Sequence, residues 1–192
     1  MDSRTQILNK LKASVTGSEP PVIPRFAAAS VSSNENFKAV LTSIGGSVIE
    51  LVDMDQIAVF IKDNYRERSR IISCVKELTG FECVSERIAS PHEYHDVHLA
   101  ILQAEFGVAE NGAIWLTDAS LPHRVLPFIV EHLLVIISAS AIVETMHNAY
   151  DRIGDSRYGF GIFIAGPSKT ADIEQSLVLG AHGPKSMTVV LM

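Results

Sequence analysis

The chain of 192 residues is 47% hydrophobic and 20% charged, a balance that supplies a full core for one compact domain. A net charge of -6 removes the basic footprint of a nucleic-acid binder, so neither DNA nor RNA is an expected partner. Cys74 and Cys83 form no disulfide framework and no CxxC or Cys/His spacing of the zinc or iron-sulfur kind, which predicts a cytoplasmic protein whose two thiols are small buried hydrophobes.

The amino terminus, MDSRTQILNKLKASV, is polar and carries no signal-peptide pattern. Ile7, Leu8, Leu11 and Val15 recur at helical spacing and predict a peripheral amphipathic helix over residues 3–15. Three prolines in GSEPPVIP then enforce an extended arm, so residues 1–24 read as a helix and Pro-rich arm ahead of a single α/β domain over 25–192. NENFKAVLTSIGG predicts a helix ending at Gly45 or Gly46, SVIELV a strand, and DMDQIAVFIKDNY a helix with an acidic first turn.

Further strands are expected at Arg70–Val75 and Asp96–Gln103, the latter feeding EFGVAENGAIWLTD. HLLVIIS is apolar almost throughout, as in a strand covered on both faces, and SAIVETMHNAYDRI is expected to follow as a helix. The most apolar stretch, Leu133 to Val143, falls well short of the roughly 20 residues of a membrane span. YGFGIFIA predicts a strand, the segment after Gly166 a helix ending near Gly180, and MTVVL a last buried strand. The fold class is therefore α/β, a parallel-rich sheet flanked by helices.

In such folds ligands collect at the carboxyl ends of strands, which draws attention to Gly166-Pro167-Ser168-Lys169-Thr170-Ala171-Asp172-Ile173-Glu174. Gly166 permits close backbone approach, Ser168 or Thr170 can cap the expected helix, and Lys169 can meet an anion. Asp172 and Glu174 would repel that anion, so recognition of a hydroxyl or a metal by Asp172 stands beside phosphate binding by Lys169. Neither a Walker A loop nor a GxGxxG fingerprint occurs, and no cofactor or resident metal is expected.

His182, between Gly180 and Pro184, titrates in the range that acid–base chemistry uses, and also suits a plain terminal turn. Asn111-Gly112 is a turn signal that pins Glu110, a second candidate acid–base group. His92, His95 and His98 match no metal-ligand motif, and His95 and His98 would face opposite ways on a strand. His123 and Arg124 read as surface residues.

GPSKTADIEQSLVLGAHGP together with GVAENGAIWLTD resembles the two signature regions of the LUD domain family, in its lactate utilization protein C (LutC/YkgG-like) branch. That resemblance implies a fold like those of glucosamine-phosphate deaminases, ribose-phosphate isomerases and CoA transferases (NagB/RpiA/CoA transferase-like). It also implies a place in the oxidation of L-lactate to pyruvate by three proteins, two of which carry iron-sulfur centres and act as partners of the third. With two cysteines, this chain resembles the member without a cluster, whose own step is undefined.

An alternative is a stand-alone enzyme on a phosphosugar, acyl-CoA or similar anionic metabolite. In it Glu110 or His182 is the acid–base group, and Asn111, Gly112, Gly166, Ser168, Lys169, Thr170, Asp172 and Glu174 form the ligand-binding surface. A third is a structural module that uses the amino-terminal helix and arm as contacts.

Overall fold

A computed structural model describes residues 2–14, 33–65, 70–83, 90–171 and 177–192. Helix α1 (Ser3–Ser14) buries none of its residues, and Ile7, Leu8 and Leu11 are exposed. The Pro-rich arm lies outside the described residues. Helix α2 (Ser33–Ser43) buries Phe37 and Leu41, four residues apart on one face, and stops where Gly45 takes a φ of 87°. It is followed by β1 (Ser47–Glu50) and α3 (Met54–Asn64). Asp53 caps α3 by accepting the Gln56 N–H at 2.8 Å, and Ile57 and Ile61 form its buried face.

The chain continues through β2 (Arg70–Ser73), β3 (Glu82–Cys83), a 3-10 turn (Pro91–Tyr94) and β4 (Val97–Gln103). An antiparallel hairpin, β5 (Phe106–Val108) and β6 (Ala113–Thr117), precedes the short helix α4 (Leu126–Ile129) and β7 (His132–Ile137). Six strands in the order β1-β12-β7-β4-β2-β3, with β12 spanning Ser186–Leu191, make one wholly parallel sheet.

Successive residues of the central strands enter two different cores, which explains why β4, β7 and β12 read as unbroken apolar runs. Leu99, Ile101, Leu134, Ile136 and Val190 meet Ile57 and Ile61 of α3 on one face. Ala100, Leu102, Leu133, Val135, Ile137, Val189 and Leu191 meet Phe37, Leu41, Phe106 and Trp115 on the other. That second face is covered by α2 and by a four-stranded sheet ordered β8-β5-β6-β9, with β8 at Ile142–Val143 and β9 at Gly161–Ile164.

Two expected helices are corrected. Residues 139–153 are not one helix: a 3-10 turn (Ala139–Ala141) and β8 precede α5 (Met146–Ile153). The β-branched pair Ile142-Val143 joins Gly107 and Val108 in the second sheet, and Thr145 starts α5 only afterwards, through a capping box with Asn148. After Gly166 the chain forms β10 (Lys169–Ala171), antiparallel to β11 (Leu177–Leu179), in place of a helix. Ser168 is tied into extended backbone by its N–H to Pro184 O (2.9 Å) and its carbonyl to Gly180 N (3.1 Å), so neither Ser168 nor Thr170 is a helix cap. Asp172 and Glu174 lie outside the described residues.

The expected burial of both thiols is also corrected, because Cys83 on the edge strand β3 is exposed and Cys74 is half-buried.

Gly80 and Gly112 both have positive φ (91° and 68°), but a Cβ on Gly80 meets nothing within 4 Å, whereas one on Gly112 comes within 3.0 Å of Leu41 Cα. Gly80→Ala is expected to lower stability by about 1 kcal/mol through the backbone alone. Gly112→Ala is expected to lose about 1–3 kcal/mol more by pushing the hairpin turn off α2, as read in urea unfolding curves.

Candidate functional site

The buried strand centres leave polar chemistry to the two edges of the parallel sheet. At the carboxyl edge, residues following β2, β4 and β7 open a cleft of about 700 Å³ lined by Cys74, Lys76, Gln103, Glu105, Ser138 and Arg152, among others. This volume falls within the range of small-molecule sites, and the carboxyl edge is where open α/β sheets bind ligands.

Its backbone is fixed by pairing that continues past the strand ends. Cys74 N–H donates to Ile101 O at 2.9 Å, Ala104 N–H to Ile136 O at 2.9 Å, and Ala139 N–H to Met192 O at 2.7 Å. The Ser138 and Ser140 hydroxyls are 2.8 Å apart. Thr117 donates its hydroxyl to Glu105 Oε1 at 2.5 Å, fixing the carboxylate at the junction with a second groove of about 250 Å³ walled by Phe106, Trp115, Asp118 and Tyr158.

Arg152, in the last turn of α5, lines both spaces. Its guanidinium lies 5.1 Å from the Phe106 ring centroid and reaches only a long contact, 3.4 Å, to Ala141 O. Donors of that fork therefore remain for an anionic ligand. Cys74 contributes no thiolate at neutral pH, since burial, then Cys83, pushes its thiol up to about 12.

The residues singled out in the sequence are distributed elsewhere. Glu110 accepts the Met146 N–H at 2.8 Å and so sits at the amino end of α5. Asn111 Oδ1 accepts the Ala113 N–H at 3.0 Å, and Gly112 abuts Leu41 of α2. Gly166, at a φ of 72°, abuts the same helix end at the Ile44 carbonyl, and the exposed Lys169 lies against Gly45. The two turns thus meet the same helix, at Leu41 and at Ile44. Arg124 is exposed and pairs with Asp118, whereas the half-buried His123 accepts the Val125 N–H at 3.2 Å.

His182 is exposed on the wall of a different cleft, about 690 Å³, at the amino edge of the sheet, with Arg70, His98, Glu131 and Lys185. Arg70 there is committed to Glu82 (3.0 Å) and Asp96 (2.6 Å).

The LUD domain profile matches residues 84–192, more than half of the chain. The chain belongs to the LUD domain family. LUD relatives include lactate utilization protein C of Bacillus pumilus, 32% identical over 48% of this chain and 41% of that protein, and its namesake in Shouchella clausii, 34% identical over 52% and 45%. The matched stretch thus covers less than half the length of either relative. The crystal structure of a DUF162 family protein from Deinococcus radiodurans has the same fold, with a TM-score of 0.64, 16% identity, and 84% of this chain against 98% of that one covered.

Within the LUD match lie β4 to β12, whereas Cys74 and Lys76 of the carboxyl-edge cleft precede it. Arg152 carried no separable signal in the sequence, because a basic residue in the last turn of a helix is expected for its dipole alone. Ser138 and Ser140 were legible as a polar break in an apolar run.

A pH prediction follows from the amino-edge cleft. Lys185, then His98, holds the Glu131 carboxyl down to about 2, below its usual 4.5. A depressed carboxyl adds stability that is complete above pH 4.5 and is lost as pH falls toward 2. The melting-temperature gap between wild type and Lys185→Met is expected to close across that window, and a gap that stays constant would contradict the pairing.

Proposed function

We propose that this LUD-domain chain serves the oxidation of L-lactate to pyruvate as the metabolite-handling component, beside iron-sulfur proteins that take up the two electrons. The observation that carries this reading is the likeness of residues in its carboxyl-terminal half to proteins named lactate utilization protein C. Two cysteines, one half-buried and one exposed on another strand, cannot supply the four thiolates of an iron-sulfur cluster, which assigns electron carriage to partners.

The chemistry of the carboxyl-edge cleft suits a 2-hydroxy or 2-keto acid. The Arg152 fork matches a carboxylate, and the Ser138 and Ser140 hydroxyls with Gln103 can receive the oxygen at the adjacent carbon. In this reading Glu110 stabilises α5, the helix that presents Arg152, and the Gly166–Thr170 turn braces α2. Phosphosugar or acyl-CoA binding would use the same guanidinium and is the alternative outcome of a ligand panel.

Lactate-dependent dye reduction by the reconstituted proteins, with and without this chain, tests the reading. Omission is expected to abolish the activity, and undiminished reduction overturns the proposal. Arg152→Ala is expected to raise the lactate KM about 10- to 100-fold, the loss of one charge-assisted contact, while Lys62→Ala on α3 leaves it unchanged.

A further inference from the structure

At the amino edge of the sheet, opposite the proposed metabolite cleft, three potential metal ligands converge. His98 is the second residue of β4, Glu131 immediately precedes β7, and His132 begins it. The Glu131 backbone is locked between neighbouring strands, its N–H on Val97 O at 3.3 Å and its carbonyl receiving the Lys185 N–H at 2.8 Å. Ligand atoms of the three side chains all lie within 4.8 Å of one another, and each residue is half-buried.

The arrangement is held from outside. His98 Nδ1 is 2.7 Å from Glu131 Oε2, and the two imidazole centroids are 4.6 Å apart at 71°. The Tyr65 ring packs edge-on against both, at 6.3 and 5.8 Å. The Ser186 hydroxyl engages His132 Nδ1 at 2.6 Å, which directs Nε2 to other partners.

We propose that His98, Glu131 and His132 form a binding site for a divalent transition cation, with Zn²⁺ as the expected occupant. Two imidazoles and one carboxylate are the donor set of open zinc sites, in which a fourth position takes water or an oxygen ligand. Donors on a tetrahedral Zn²⁺ stand about 3.4 Å apart, so side-chain rotation alone closes the cluster. The contact between His98 and Glu131 carries a proton where the cation would sit, and binding releases it. Burial, then His98, lowers the His132 pKa, which keeps its lone pair available at neutral pH. The Ser186 contact is the outer-shell bond that metal-bound imidazoles characteristically make. His98 and Glu131 face the 690 Å³ cleft, so an anionic oxygen ligand has access to the open position.

Lys185 makes the proposal sharp. Its ammonium hydrogen-bonds Glu131 Oε1 and competes with a cation for the same carboxylate. Zn²⁺ titration against a chromophoric chelator, paired with the visible spectrum of the Co²⁺ form, is the test. Wild type is expected to bind one equivalent at micromolar concentration with four-coordinate Co²⁺ absorption. His98→Ala and His132→Ala are each expected to weaken binding at least about 100-fold, Ser186→Ala about 10-fold, and Lys185→Met to bind as tightly or more tightly. Absence of stoichiometric binding in wild type, or histidine variants that bind undiminished, overturns the site. If an alanine variant does not fold, paramagnetically shifted imidazole signals of the Co²⁺-loaded wild type decide: signals from His98 and His132 support the site, and signals from other histidines overturn it.

Discussion

Burial of one parallel sheet on both faces governs the rest of this molecule. The central strands satisfy their backbone groups in the ladder and send alternate side chains into two apolar cores, so they have no room for chemistry. Polar function is displaced to the rims, where strands begin or end. Both clefts with charged linings described above occupy those rims, one at the carboxyl edge around Arg152 and one at the amino edge around Glu131.

The second layer gives the carboxyl rim its character. The β5-β6 hairpin lays Phe106 and Trp115 side by side, with ring centroids 6.2 Å apart, and α5 carries Arg152 across the Phe106 face. Stacking on an aromatic face restricts the guanidinium without consuming its donors. Glu110 contributes at a distance, since its carboxylate meets the positive amino end of the helix that bears Arg152.

Much of the fold was legible because its signals were local. Phe37 with Leu41, and Ile57 with Ile61, announce helices by their spacing, and the unbroken runs of β7 and β12 announce strands buried on both faces. The segment after Gly166 misled because glycine, serine, threonine and acidic residues also open helices. What decides it is the distant Pro184 carbonyl, which captures the Ser168 N–H. The site was less legible for the same reason. Turn residues stand out in a sequence, whereas Arg152, Gln103 and Lys76 are ordinary surface types until the sheet gathers them. His98 and His132 likewise become neighbours only when β4 and β7 pair, and no spacing along the chain records that.

The strand order has a kinetic corollary. Ser47 of β1 pairs with Thr188 of β12, and β12 also completes the flank of β7. During synthesis β1 therefore waits, without a lateral neighbour, until nearly the whole polypeptide has left the ribosome. Closing so long a loop makes the last strand the step that locks the early part of the chain in place. A polypeptide stopped before residue 186 would leave two strand edges unpaired, open to self-association.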